Sequence, residues 1–500
     1  MSDRLVAVNS KAWLVSRAAL ALALMIGFYA LALAIVGALL WIPYAEVMYV
    51  GRIHLKLTLV VVAAALSVLW AILPRIDRFE PPGPRLDDHT CPELFRMIRE
   101  VASATGQAEP SEVYLLNEVN AWVTQRGGIM GVGGRRVMGI GFPLLQGLST
   151  EELKAILAHE FGHYSSGDVA LGPWIYKTRA AIGRAIGTMQ DSWLEAPFRW
   201  YGTLFLKITH SISRQQEFIA DRIAAKVTST VAAASALRQT TALAAAFHAY
   251  LGQELVPVMQ AGFMPPIAGG FAAFLREDRI AEFSRLVVEQ EVREGTTDQF
   301  DTHPSLKERL EALGDSSSVQ SAAAGECGSA AALLPNAEQQ VAALARFSFG
   351  AQTVEGLRPL AWCEVGESVV VPQWRALAKS RAAWLSCLTP DTLPTSEEEL
   401  IRAGIGLTSP GDGISTRDRI GRAVHVFGVG VALALLDRGW VVETGVGRPI
   451  VMRNGSQVID PFESVHRLAT GQLKVEEWKA QCSAAGIAGC VLGAQPAVKV

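Results

Sequence analysis

The sequence predicts an α+β protein in three parts: two N-terminal transmembrane helices, a mainly helical middle domain with a small edge sheet, and a C-terminal α+β domain. Three observations predict this. Two long apolar runs stand near the N-terminus, a capped amphipathic helix marks the middle, and helical and strand patterns alternate towards the C-terminus. The expected boundaries are a membrane anchor over 1–80, a middle domain over 81–313, a linker over 314–340 and a last domain over 341–500. Hydrophobic residues make up 50% of the 500 and charged residues only 19%, which excludes a disordered or coiled-coil chain. A formal net charge of −3 excludes a generally basic nucleic-acid binder. The six cysteines are scattered without a CxxC, so neither a zinc ribbon nor a disulfide scaffold is indicated, and a reducing compartment is the simpler setting.

The mean hydropathy of +0.25 traces to the N-terminus. No side chain from Ala18 to Ala45 is charged, longer than the ~20 residues a helix needs to cross a bilayer. Trp13 precedes this run, and Trp41 and Tyr44 close it, as an interfacial aromatic belt does. A second, shorter run covers Leu57 to Pro74. Cleaved signal peptides have shorter apolar regions and are not followed by a second span. Arg4, Lys11 and Arg17 precede the first run, and Arg75, Arg78 and Arg85 follow the second, against Arg52 and Lys56 between them. The positive-inside rule then puts both ends, and everything after residue 80, in the cytoplasm of a multi-pass inner or plasma membrane protein.

Beyond the Pro-rich 80–86, the chemistry concentrates in Ser149–Asp168, STEELKAILAHEFGHYSSGD. Ser149 with Glu152 forms a capping box, Leu153, Ile156 and Leu157 supply an apolar stripe, and Gly167 is a plausible stop. Inside this helix lies His159-Glu160-Phe161-Gly162-His163. The i, i+4 spacing sets both imidazoles on one face, where both can ligate one Zn²⁺. Glu160 is close enough to take a proton from a metal-bound water. A third ligand is required. Val169 stands where the metzincin pattern has a histidine, and Ile182 and Gly183 stand where the thermolysin pattern has a glutamate. Glu217 and Asp221 share a face of a later predicted helix, so Glu217 can complete a His₂Glu set and Asp221 can accept a hydrogen bond from a ligating imidazole. A solvated acidic face is the equal alternative for that segment taken alone.

With these pieces in order, the chain resembles the HtpX-like membrane zinc peptidases of family M48, the gluzincin group that includes the CAAX prenyl proteases. HExxH followed by Ser213-Arg214-x-x-Glu217-x-x-x-Asp221 carries the resemblance. Asn120-Ala121-Trp122-Val123, the stretch Arg136–Leu145 read as an edge strand and turn, and Thr302-His303-Pro304-Ser305 with Arg309 agree with it. It covers about residues 88–313. It implies a zincin-type peptidase fold, Zn²⁺ held by His159, His163 and Glu217, Glu160 as general base, and His303 and Arg309 as catalytic or structural partners. It also implies protein or peptide substrates, membrane or misfolded proteins among them, beside the lipid bilayer and no nucleic acid. A peptide strand is expected to add near Met138–Gly141.

The chain departs from the family at residues 169–209, where further spans are usual but five basic residues stand among apolar ones. These helices are expected on a membrane face or over the cleft, with amphipathic core helices as the alternative. The last 160 residues match nothing in the family, and are expected to fold separately and modulate substrate access. Two strands around Asn454-Gly455 predict a hairpin there. His210 reads as structural, and His54, His89, His248, His425 and His466 have no partner at ligand spacing. The glycines of 127–141 lack phosphate-loop spacing. Two rival functions stand beside the peptidase: a site-2-type intramembrane protease, for which Glu151, Glu152 and Lys154 make the HExxH helix too polar, and a non-catalytic membrane scaffold.

Overall fold

The computed structural model describes residues 11–73, 79–126, 134–165, 172–298, 301, 303–315, 328–407 and 415–493. Gly167, Thr302, residues 127–133 of the glycine run and residues 316–327 of the expected linker lie outside them. The fold is mainly helical with three small sheets.

Helix α1 (Lys11–Ala45) and helix α2 (Leu55–Ile72) are the two apolar runs. Each buries one stripe, with Phe28, Ala32 and Val36 on α1 and Ala65 and Val68 on α2, and exposes large apolar residues elsewhere. A continuous apolar exterior of this length suits lipid rather than water. The next elements are β1 (Arg85–Leu86), α3 (Pro92–Ala104), β2 (Glu112–Leu116), β3 (Ala121–Arg126) and β4 (Arg135–Gly141). They lead to α4 (Thr150–Ser165), the HExxH helix, which starts as the capping box predicts. Glu152 Oε2 accepts from the Ser149 N–H at 2.8 Å, and Ser149 Oγ accepts from the Glu152 N–H at 3.3 Å.

The sheet order is β1-β2-β4-β3. This corrects the expected edge. β4 pairs in parallel with β2 and antiparallel with β3, so Met138–Gly141 is internal and β3 has the outer edge. The burial of Val137–Gly141 on both faces fits a central strand. Two glycines permit the close packing. A Cβ on Gly139 would lie 2.5 Å from the Trp122 ring, and one on Gly141 1.9 Å from the Glu118 carbonyl oxygen.

Helices α5 (Gly172–Thr188) and α6 (Glu195–Val227) follow. Ala181, Ile182, Ala185, Phe198, Tyr201 and Phe205 join one apolar cluster with Phe28, Val36, Ala65 and Val68 of α1 and α2. Two of their arginines bond within this cluster: Arg184 Nε donates to the Ala71 carbonyl at 3.0 Å, and Arg179 Nη2 donates to Thr209 Oγ1 at 2.9 Å. Residues 172–209 therefore pack along the two N-terminal helices, and none lines the cavity at the histidines. The single helix α6 runs from that cluster to Glu217 and Asp221. Helix α7 (Thr230–Ala249), helix α8 (Leu306–Leu313) and helix α9 (Ala337–Phe349) follow, together with a helix over Asp278–Glu294 whose Val288 packs on Leu237 and Leu310.

The contacts divide the chain into two compact units, 1–247 with 282–350, and 248–281 with 351–500. This division departs from the expected boundaries in two places. Residues 328–350 belong to the first unit. Ala330 N–H donates to the Leu148 carbonyl at 3.0 Å, Thr150 N–H to that of Gly328 at 2.8 Å, and Ala330, Leu333, Leu334, Val341 and Leu344 are buried. The Ser/Ala/Gly composition reads as a linker, but its last apolar residues have a core to join. Residues 248–281 belong to the second unit, where Phe263–Met264 (β5) pairs with Arg358–Pro359 (β6) and buried Tyr250 packs on Phe271, Phe274 and Trp362. Truncation after Glu311 is accordingly expected to remove four buried Leu and Val side chains, Leu333, Leu334, Val341 and Leu344, from the first unit, at ~1.5–3 kcal/mol each. The measured outcome should be an insoluble product; a soluble truncated chain with a sharp thermal transition would contradict the packing.

The rest of the second unit comprises α10 (Val371–Ser380), α11 (Glu397–Gly406), α12 (Thr416–Leu436), a three-stranded meander of β7 (Val441–Glu443), β8 (Val451–Asn454) and β9 (Gln457–Ile459), then α13 (Pro461–Ala469) and α14 (Val475–Ala484). Helix α12 is long and apolar enough to cross a membrane, but 56% of its apolar window is buried and it forms the centre of this unit's core. In the predicted hairpin Asn454 pairs with Gln457, so the loop is Gly455-Ser456, with Gly455 at φ 59°.

Candidate metal centre

The centre is assembled from three helices. Helix α4 supplies His159, Glu160 and His163, α6 supplies Glu217 and Asp221, and His303 and Arg309 lie before and on α8. Gly162 lets α4 and α6 approach, since a Cβ there would stand 3.1 Å from the Ala220 Cα. His159, Glu217 and Asp221 are buried, and His163 is partly so.

The ligating atoms of His159, His163 and Glu217 all lie within 4.8 Å of one another. His159 Nε2 is 3.2 Å from His163 Nε2 and 3.4 Å from Glu217 Oε2, and His163 Nε2 is 3.6 Å from Glu217 Oε1. Ligands ~2.0–2.2 Å from a tetrahedral zinc stand roughly 3.3–3.5 Å apart, so the donor set fits such an ion. A further observation agrees: Glu217 Oε2 is buried without a hydrogen-bond partner. This oxygen stands 3.4 Å from His159 Nε2 and 3.6 Å from Arg309 Nη2, without a hydrogen bond to either, and a buried carboxylate oxygen left so suits a bound cation.

The surrounding groups set the protonation. The Asp221 carboxylate can only accept, so His159 donates to it from Nδ1 at 2.9 Å and turns Nε2 towards the centre. Arg309 holds Asp221 with a two-pronged grip, Nε to Oδ2 at 2.9 Å and Nη2 to Oδ1 at 2.6 Å. Burial alone would raise the Asp221 pKa, but Arg309 and His159 hold it below the usual range. Burial would likewise lower that of His159, yet its bonds to Asp221 and Glu217 lift it to about 9 in the metal-free protein. Burial and the neighbouring His159 push His163 down to about 4. Burial raises Glu160 to about 7, against the pull of His159. Glu217 stays far below the carboxylate range, because His159 and His303 outweigh its burial.

Every site residue expected from the sequence falls in this one cluster. His303 Nδ1 lies 2.9 Å from Glu217 Oε1, and its bond to that carboxylate raises its pKa. Arg309 reaches Glu217 Oε2 at 3.6 Å but is chiefly engaged by Asp221. A cavity of about 430 Å³ opens beside His159 and Glu160, with Asn120 and Ala121 at the start of β3 on one wall and His303 and Arg309 on another. One participant is not evident from the sequence. The Tyr164 hydroxyl donates to the Val123 carbonyl of β3 at 2.8 Å, and Arg136 lies 4.7 Å over its ring, tying the HExxH helix to the edge strand. A tyrosine following a histidine carries no spacing signal for such a tertiary bond.

The raised His159 pKa predicts how metal and proton compete. Nε2 must lose its proton before it can ligate. Apparent Zn²⁺ affinity should rise about tenfold per pH unit up to about pH 9, then level off. Competition with a chromophoric chelator between pH 6.5 and 9.5 measures this, and a flat profile would contradict it. The same shift stabilises the metal-free fold fully below about pH 6.5, and that contribution fades as pH rises through about 9.

Residues 88–317 match the model of peptidase family M48. A protein named Protease HtpX homolog from Methanocaldococcus jannaschii is 26% identical over 253 residues, covering 46% of this chain and 76% of that protein. Proteins of the same name from Burkholderia mallei and Burkholderia pseudomallei are 26% identical over 247 residues, with the same coverage. The crystal structure of S. mikatae Ste24p covers 58% of this chain and 64% of its own at 15% identity, with a TM-score of 0.25, which carries no argument about the fold.

Proposed function

We propose, for a chain whose residues 88–317 match peptidase family M48 and which is similar to its HtpX proteases, that it is a membrane-anchored zinc endopeptidase acting on membrane or misfolded proteins. The observation that carries this reading is the convergence of His159, His163 and the orphaned Glu217 oxygen beside Glu160 at an open cavity. His159, His163 and Glu217 would hold the ion. When bound, zinc supplies a polarised carbonyl and a readily ionised water.

The remaining work falls to the protein's own groups. An extended peptide adds to the outer edge of β3, whose first residues border the cavity. Tyr164 keeps that edge in register with α4. Glu160 takes the proton of the attacking water and passes it to the leaving amine, for which a carboxyl group raised towards neutrality is suited. His303, half free on the rim, can donate to the carbonyl oxygen as it gains charge. Arg309 acts through Asp221 and is a positioning residue. The deciding test is zinc content together with casein cleavage by the solubilised full chain, inhibition by a chelator and recovery on zinc addition. A full equivalent of zinc with no cleavage of unfolded substrates would favour the scaffold reading.

The catalytic unit is assigned to the cytoplasm from the charge balance around the two spans. The exposed Cys363 and Cys387 are ready reporters. A membrane-impermeant maleimide should leave them unlabelled in intact cells and label them after permeabilisation. Strong labelling of intact cells would reverse the orientation.

A further inference from the structure

We propose that a groove on the second unit binds an anionic phospholipid through its headgroup phosphate. The groove lies among α10, the end of α11, the first turns of α12 and α13, and encloses about 730 Å³. Arg381, Arg417 and Arg422 line it with His425 and His466, and Asp418 is the one carboxylate among its lining residues. That carboxylate is already engaged: Ser415 donates to Asp418 Oδ2 at 2.7 Å and caps α12 through the Asp418 N–H at 3.2 Å. Among the described residues none of the three arginines forms an ion pair, whereas Arg285, Arg448 and Arg453 each do. Three unpaired guanidinium groups in one groove of a chain with net charge −3 make a local cationic site that composition does not account for.

The position of these charges supports a ligand over a solvated surface. Arg417 lies in the first turn of α12, where the helix dipole disfavours cations by ~0.3–1 kcal/mol. An anion between Arg417, Arg422 and Arg381 removes that conflict, and guanidinium forks match phosphate oxygens in pairs. The groove is not wholly polar. Leu377, Leu407, Ile420 and Val424 supply an apolar surface between the arginines. Cations around hydrocarbon select an amphiphile over inorganic phosphate, and the spans of α1 and α2 keep the chain where such lipids are abundant. The inference is independent of the peptidase chemistry.

The experiment uses the full chain in neutral detergent, titrated by calorimetry with monomeric dihexanoylphosphatidylglycerol, dihexanoylphosphatidylcholine or inorganic phosphate. The glycerol lipid is expected to bind about tenfold tighter than the other two, since only it offers both a net-anionic headgroup and acyl carbons. Arg381→Gln with Arg422→Gln should weaken it by about tenfold or more with zinc content unchanged. Arg417→Gln alone, at an exposed helix end, should weaken it severalfold without touching the core, which covers the case of a double variant that misfolds. Lipid bound on α1 and α2 is common to all variants, so the difference between them reads the groove. Equal affinity for the choline lipid, full affinity in the arginine variants, or phosphate or polyglutamate binding as tightly as the lipid would each overturn the proposal.

Discussion

Glu160→Gln is expected to abolish peptide hydrolysis while the protein keeps its zinc. The amide is nearly isosteric, and Glu160 is not among the three converging ligands, so metal retention should be unaffected. What is lost is the only carboxylate on α4 beside the cavity able to accept and return a proton. General acid–base groups contribute ~10²–10⁴-fold, and here the residue serves both half-steps, so the loss should lie at the upper end. Turnover of a quenched-fluorescence peptide and zinc content by mass spectrometry measure the two quantities separately. Near wild-type turnover by the zinc-loaded variant would remove Glu160 from the mechanism.

Glu217→Ala should behave differently, losing zinc and activity together. It removes the one anionic ligand and leaves His303 without its carboxylate partner, while His159 keeps Asp221. Asp221→Asn should be milder, because the amide can still orient His159 although it no longer carries charge. Changes in groups that support a ligand cost ~10–100-fold in metal affinity. Arg309→Lys tests the same chain of contacts one step out, since an ammonium cannot grip both Asp221 oxygens. The expected order of zinc loss under mild chelation is Glu217→Ala first, then Asp221→Asn, then Arg309→Lys. If Glu217→Ala keeps a full equivalent, the third ligand lies elsewhere.

Local signals in the sequence carry the site well. An i, i+4 pair of histidines can only share a face once the segment is helical, and the Ser149–Glu152 box makes it helical. The same logic sets Glu217 and Asp221 together on α6. Arg309 and His303 enter only by resemblance, because nothing local joins residues 303–309 to residue 159. What the sequence did not disclose is pairing. The apolar run in β4 reports burial, not which strands flank it, and its edge reading failed for that reason. Composition misled in 328–350, where small residues suggested a linker and a handful of leucines and valines decided otherwise. Residues 248–281 carry no marker of allegiance at all. Helix α7 runs through the division at residue 247 without a break, so no turn signal exists to read. Helix α12 shows the limit of hydropathy, since its long apolar stretch after Arg422 suits a protein core as well as lipid.

The division at residues 248–281 bears on how the nascent chain is made. The ribosome delivers this segment, with the faces of Tyr250, Phe271 and Phe274, before it delivers the 69 residues of 282–350 that return to the first unit. At ~5–20 residues per second that interval lasts about 4–14 seconds, and the rest of the second unit takes longer still. The first unit's core closes only once residues 328–350 have emerged, while the earlier apolar segment still waits for Trp362 and the residues beyond it. During that window the molecule carries an uncovered apolar flank. Synthesis order thus leaves the faces of Tyr250, Phe271 and Phe274 open to non-native contacts until Trp362 and the rest of the second unit arrive.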